Sequence, residues 1–281
     1  MNHQERYLSL LKKSLLNELY LEDEARIVYL VLNEIMNQKP PPREWGNTLL
    51  TIKSHPIYKM LAKSRLVGGF IQIPGQAHAR NYTETPHTMI GRARLDNIHH
   101  CLDQIVADEV PGDVIETGVW KGGATIFMRG FFAAHDIRDR KVWVADSFEG
   151  LPKPTHEADA GWDLSKEAMP FLAVSLDDVK ELFARYDLLD EQVEFLKGWF
   201  KDTLPVAPIG KLALIRLDGD LYESTMDAIT SLYDKLADGG FLIIDDYILP
   251  PCKKAITDFR DARGISKDII TIDEQSAFWR K

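Results

Sequence analysis

Apolar residues recur at helical spacing over residues 4–20 and again over 22–37, with Tyr7, Leu8, Leu10, Leu11, Leu15, Leu16 and Leu19 marking the first stretch. The two runs predict an N-terminal helical part. Pro40-Pro41-Pro42 interrupts them, and from there to about Thr85 apolar and polar positions mix without a sustained period, which predicts an irregular cap or lid. Helical spacing returns from Thr88 to Ala107. Beyond Val110-Pro111-Gly112 the pattern changes to short, nearly unbroken apolar runs: one from Asp113, then 142–145, 193–196, 212–217 and 241–244. Runs of that length and density read as parallel strands buried on both faces. Residues 268–279 read as an antiparallel pair. The expectation is an α/β chain with a mostly parallel, seven-stranded sheet behind an N-terminal helical cap and lid.

Two strand ends carry carboxylates. Leu217-Asp218-Gly219-Asp220 and, one βαβ unit later, Ile243-Ile244-Asp245-Asp246 each run from apolar strand into acid. As parallel neighbours they bring Asp218, Asp245 and Asp246 to the carboxyl edge, where open α/β sheets bind ligands. Three carboxylates repel one another unless a proton or a hard cation sits among them, and oxygen-only ligation suits Mg²⁺ or a similar divalent ion. The alternative is that these acids merely cap the following turns and helices.

A second signal is the run from Asp113 to Ala124, in which an apolar strand leads to Glu116, Thr117 and glycines at 118, 122 and 123, then to an apolar helical stretch. This is the strand-loop-helix of a nucleotide-type cofactor pocket. Trp120 stands where the dinucleotide fingerprint requires its second glycine, and no Gly-Lys-Ser/Thr ending makes a P-loop. A carboxylate at the mouth, Glu116, opposes phosphate but attracts the ammonium or sulfonium of S-adenosylmethionine. Asp146, ending the run Val142-Trp143-Val144-Ala145, is placed to accept hydrogen bonds from ribose hydroxyls.

These motifs resemble the macrocin O-methyltransferase family, whose members methylate sugar hydroxyls on antibiotics such as tylosin, mycinamicin and novobiocin. The similarity runs from about Tyr7 to Arg280 and includes Thr88-Met89-Ile90-Gly91, Arg94-Leu95-Asp96-Asn97, Val110 to Gly123, Ala145 to Pro152, Gly198 to Pro205, Leu217 to Thr225 and Asp245-Asp246-Tyr247. Within the family the chain is most similar to the enzymes acting on 6-deoxysugars. The resemblance implies a Rossmann-like class I S-adenosylmethionine-dependent methyltransferase fold, with residues 1–86 as helical region and lid and 87–281 as catalytic domain. It implies that Asp218 touches the metal and serves as general base, with Asp245 and Asp246 completing the ligation. Cofactor contacts are implied for Thr88 and Met89, for Glu116, Thr117, Gly118 and Gly122, for Asp146 and Ser147, and for Gly198, Trp199, Phe200 and Asp202. It further implies a homodimer or larger homo-oligomer joined through the N-terminal helices. Catechol methyltransferases carry Asn where this chain has Asp246. The extra charge either tightens metal binding or calls for a second counter-charge, and the sequence leaves both open.

Composition narrows the field. A net charge of −9 over 281 residues opposes general nucleic-acid binding. No stretch approaches the ~20 apolar residues of a membrane helix, and the polar N-terminus has no signal-peptide core. Cys101 and Cys252 have no metal-type spacing and read as reduced thiols of a cytoplasmic protein. In the loop-rich insertion between Pro152 and Ala173, Trp162 is the residue expected to stack on an acceptor; the alternative is a solvated loop. His87 is a plausible site neighbour, whereas His99 and His100 read as packing or surface residues. Two other readings remain: a nicotinamide oxidoreductase, opposed by Trp120 and Glu116, and a non-catalytic scaffold, which has no need of the three carboxylates. Within methyl transfer, a phenolic or catechol acceptor stands beside the small-molecule glycoside.

Overall fold

The computed structural model describes residues 1–35, 42–67 and 85–281. Its centre is a seven-stranded sheet in the order β3-β2-β1-β4-β5-β7-β6. The strands are β1 (Asp113–Thr117), β2 (Val142–Asp146), β3 (Val193–Lys197), β4 (Leu212–Leu217), β5 (Leu236–Ile244), β6 (Ile270–Thr271) and β7 (Ala277–Arg280). The first five pair in parallel, and β7 runs antiparallel to both β5 and β6. The strand order reverses between β1 and β4, which makes the crevice beyond their carboxyl ends the place for a ligand.

The two-residue period of each strand divides the core. Val114, Val144, Leu214 and Ile243 face one cluster, while Ile115, Ala145, Ile215 and Leu242 face another. The first layer is covered by α1 (His3–Leu15), α5 (Arg92–Ala107), α6 (Gly123–Ala134) and α7 (Leu176–Arg185). The second is covered by α9 (Tyr222–Leu232) and α10 (Pro250–Arg263), with the single-turn α8 (Phe200–Thr203) at its rim. The strands are buried on both faces, which is why they read as continuous apolar runs.

The N-terminal helices attach in two ways. Leu8, Leu11 and Leu15 of α1 are buried in the main core, each worth on the order of 1.5–3 kcal/mol in apolar burial. Leu21, Ala25 and Val28 of α2 (Leu21–Ile35) instead build a small separate cluster with Ile52, Ile57 and Leu61.

That cluster corrects one expectation. Much of the stretch after the proline run is helical, as α3 (Pro42–Leu50), a single 3₁₀ turn at Ile52–Ser54 and α4 (Pro56–Val67). Pro42 and Pro56 open their helices, where a missing N–H costs nothing, and the pieces are too short to show a sustained period. Pro40, Pro41 and the part of the expected lid at 68–84 lie outside the described residues.

Cys101 and Cys252 are free thiols, both buried. Among the described residues no helix is long and apolar enough to cross a membrane.

Candidate active site

Register explains the first layer of chemistry. Glu116 of β1 and Arg216 of β4 are direct partners in the parallel ladder, so their side chains lie on one face. Asp218, two residues on, shares that face, and Asp245 follows the β5 residue paired with Leu217. Arg216 is 1% exposed and forms ion pairs with Glu116, with Asp245 and, at 2.7 Å, with Asp218. Arg94 of α5 reaches the other Asp245 oxygen at 2.6 Å and also binds Asp273 and Gln275. Both carboxylate oxygens of Asp245 are therefore held by arginines. Two buried guanidinium groups thus supply counter-charge beneath the acidic edge.

Asp220 enters the site from the turn after β4. One oxygen each of Asp218, Asp220 and Asp246 lies within 4.8 Å of the others. The Asp220 N–H donates to Asp246 Oδ2 at 3.2 Å. Burial and then the neighbouring Asp218 and Asp245 charges push the Asp220 carboxyl up to about 7. Burial and like charge also raise Asp218, against the pull of Arg216, and raise Asp246 well above the usual carboxylate range. Three oxygen donors that resist simultaneous ionisation fit a hard divalent cation, which would relieve their repulsion.

The glycine loop forms the other half. Gly118 has φ +85°, and a Cβ there would collide with the Asp218 carbonyl oxygen, so the glycine loop and the turn carrying Asp218 touch backbone to backbone. Asp146 accepts from the Val119 N–H and the Phe148 N–H, each at 2.7 Å. Burial raises its carboxyl, and these backbone donors oppose the rise. Glu116 is pushed up to about 8 by burial, with Arg216 opposing and Asp218 and Asp245 adding to the rise. Its Oε2 is buried without a hydrogen-bond partner among the described residues. An ammonium donor from a bound ligand would satisfy that atom, so the residues fit an S-adenosylmethionine-type group.

Two cavities of about 200 and 190 Å³ meet here. The first is lined by Gly118, Asp146, Ser147, Gly198, Trp199 and Phe200. Thr88, Glu116, Asp245 and Asp246 line the second. Met89, Trp120, Leu172, Asp218 and Asp220 border both.

Thr117, Gly122 and Asp202 line neither cavity. Thr117 points its hydroxyl toward the Arg216 carbonyl, Gly122 caps α6 against Val179 and Phe183, and Asp202 is exposed on α8. Trp162 also lines neither, because the insertion turns Leu164, Met169 and Phe171 inward instead. His87 sits behind Thr88, its Nδ1 2.8 Å from the Tyr186 hydroxyl.

Sequence reading missed Arg94, Arg216 and Asp220. A lone arginine inside an apolar strand run that ends in acids was the available signal for Arg216.

The family described as Macrocin-O-methyltransferase (TylF) matches residues 4–281. The chain is 53% identical over 206 residues to the mycinamicin III 3''-O-methyltransferase of Micromonospora griseorubida, covering 72% of this chain and 81% of that protein. It is 52% identical over 207 residues to the demethyldecarbamoylnovobiocin O-methyltransferase of Streptomyces niveus, covering 72% and 78%. Among solved structures, the O-methyltransferase NovP matches with a TM-score of 0.79 at 41% identity over 99% of both chains. The calicheamicin methyltransferase CalS11 shares the fold, with a TM-score of 0.55 at 17% identity over 89% of this chain and 90% of that one.

Proposed function

Because the chain belongs to the macrocin-O-methyltransferase (TylF) family and is an S-adenosylmethionine-dependent O-methyltransferase, we propose that it methylates a hydroxyl of a deoxysugar on a glycosylated natural product, with the help of a divalent cation such as Mg²⁺. The carrying observation is the meeting of the two cavities at Asp218 and Asp220, with three carboxylate oxygens within 4.8 Å. The acceptor class is supported by the name of a third relative, 53% identical over 204 residues, the 8-demethyl-8-(2,3-dimethoxy-alpha-L-rhamnosyl)-tetracenomycin-C 4'-O-methyltransferase of Streptomyces olivaceus.

Asp146, Ser147, Gly198 and Trp199 would hold the nucleoside end of the cofactor and Glu116 its ammonium. Asp218 and Asp246 would hold the cation, together with Asp220 or with Asp245 should an arginine contact be released. When bound, S-adenosylmethionine supplies the methyl carbon, and the cation polarises the acceptor oxygen, whose own pKa lies far above neutrality. Asp218 accepts the hydroxyl proton at a carboxylate oxygen, and its raised affinity for protons suits that task. Arg216 fixes the Asp218 carboxylate at 2.7 Å, which limits its rotation during transfer. Met89, Phe171 and Leu172 wall the acceptor side with apolar surface and exclude water from the transferring group. Exposed Leu10, Leu19, Tyr20 and Ile27 support self-association through the N-terminal helices, which sedimentation velocity would read directly.

Calorimetric titration with S-adenosylhomocysteine and, separately, with Mg²⁺ tests the assignment. S-adenosylhomocysteine should bind the wild type and Asp246→Ala alike, and Mg²⁺ should bind the wild type alone. Failure of the wild type to bind S-adenosylhomocysteine overturns the cofactor site. Mg²⁺ binding retained by Asp246→Ala overturns the metal assignment.

A further inference from the structure

Trp120 stands in the cofactor loop where a dinucleotide fold keeps glycine, and it holds φ +49° there. A bulky residue in the left-handed region costs energy that glycine would avoid, so its side chain must return something. Two side-chain contacts show what, while the N–H of the neighbouring Val119 donates to Asp146 at 2.7 Å. The Trp120 indole Nε1–H donates to the Phe171 carbonyl at 3.0 Å. Its ring lies under the Lys121 ammonium, 4.6 Å from the centroid, and that ammonium reaches the Pro86 carbonyl at 3.4 Å.

The start of the insertion is tied to α9, where Asp159 accepts from the Tyr222 and Glu223 N–H groups and Glu223 accepts from Thr155 and His156, whereas the Trp120 contact joins its later part to the glycine loop. Phe171 lies in the insertion 152–173, whose regular structure is limited to single 3₁₀ turns at Glu157–Asp159 and Pro170–Leu172 and one bridge between Leu151 and Ser165. The backbone N–H groups of Leu172 and Ala173 donate locally, to the Met169 and Pro170 carbonyls. Pro86 leads into Thr88 and Met89, which also line the second cavity. The loop tip at 120–121 therefore touches both segments bordering that cavity, while the Val119 N–H beside it contacts the acid of the first.

We propose that Trp120 is a positioning residue that clasps the acceptor wall 164–172 to the cofactor loop, so that the acceptor side of the cavity is shaped by the loop that holds the cofactor. The proposal rests on the methyltransferase reading above for what the two cavities hold. It assigns Trp120 no contact with the reacting atoms; it acts through Phe171.

Trp120→Phe removes the indole donor and keeps an aromatic ring. Hydrogen exchange followed by mass spectrometry, with no ligand present, should show amides of 164–173 exchanging about tenfold faster than in the wild type, with β1 and α6 unchanged. Calorimetry should give S-adenosylhomocysteine a dissociation constant within about twofold of the wild type. With demethyldecarbamoylnovobiocin as probe acceptor, KM for the acceptor should rise about fivefold or more, while kcat at saturation and KM for S-adenosylmethionine stay within about twofold. Unchanged exchange at 164–173 overturns the clasp. So does a fall in kcat with the acceptor KM unchanged, or an equal loss of S-adenosylhomocysteine affinity, which would make Trp120 part of the cofactor pocket. A wild type that binds no S-adenosylhomocysteine or leaves the probe unmethylated counts against the parent reading alone, because the exchange comparison decides the clasp without ligand.

Discussion

Asp146 and Asp218 occupy equivalent places, each at the carboxyl end of a parallel strand beside the same crevice, yet they are held by opposite means. Asp146 is fixed by uncharged backbone N–H groups from the loops around it. Asp218 leans on a fully buried guanidinium that it shares with Glu116 and Asp245. The first arrangement keeps an acceptor oriented for neutral hydroxyl donors. The second keeps several negative charges close together around one guanidinium. One sheet edge thus carries two carboxylate environments, and the supports beneath them, more than the acids themselves, set the chemistry each can do.

The sharpest break of this contrast is Asp218→Asn, expected to lower kcat by about a thousandfold while S-adenosylhomocysteine still binds, because the proposed base and anionic ligand are lost without a change of size. Steady-state kinetics beside calorimetry checks it, and near-normal turnover would remove Asp218 from its role. Arg216→Met comes next. It leaves three carboxylates facing one another and should cost about 3–5 kcal/mol of stability, read by urea denaturation; a loss below 1 kcal/mol would mean the guanidinium is no keystone. Asp146→Ala should weaken S-adenosylhomocysteine by roughly 10- to 100-fold and leave Mg²⁺ affinity unaltered, in keeping with the loss of charged hydrogen bonds. Parallel weakening of the metal would blur the two environments into one.

The smallest effect concerns His87, behind the cofactor loop. Burial, aided by Lys121 and Arg185, lowers its pKa to about 4 from 6.5. The unfolded chain therefore binds the proton more tightly, and stability falls as pH drops from about 6.5 toward 4. Allowing for solvent screening, the contribution is on the order of 1–2 kcal/mol. The difference in unfolding free energy between pH 7 and pH 4.5 should shrink by that amount in His87→Gln, and an identical difference would show that His87 is not the group titrating.

The strands were legible because burial on both faces leaves dense apolar runs, and the acids at their ends were legible because polar residues stand out there. Membership of the methyltransferase family sets aside the nicotinamide and scaffold readings. Arg216 is not legible in the sequence because two of its three acidic partners belong to other strands, Glu116 100 residues away and Asp245 29 away. Only the register brings them together. Asp220 was hidden in a turn where an acid has local reasons to occur, and its φ of +55° shows only in three dimensions. The helices at 42–67 were hidden by their brevity. In the insertion Trp162 is the conspicuous side chain in sequence, while Leu164, Met169 and Phe171, which carry no such signal, line the cavity.

The two thiols have a practical consequence. The chain contains two cysteines, and both Cys101 and Cys252 are enclosed by packed side chains. A maleimide dye should therefore leave the native protein unmodified and react only where a new cysteine is introduced. Glu167, exposed on the insertion, offers such a position, and an attached fluorophore there would report in real time on how the loop responds to each substrate in turn.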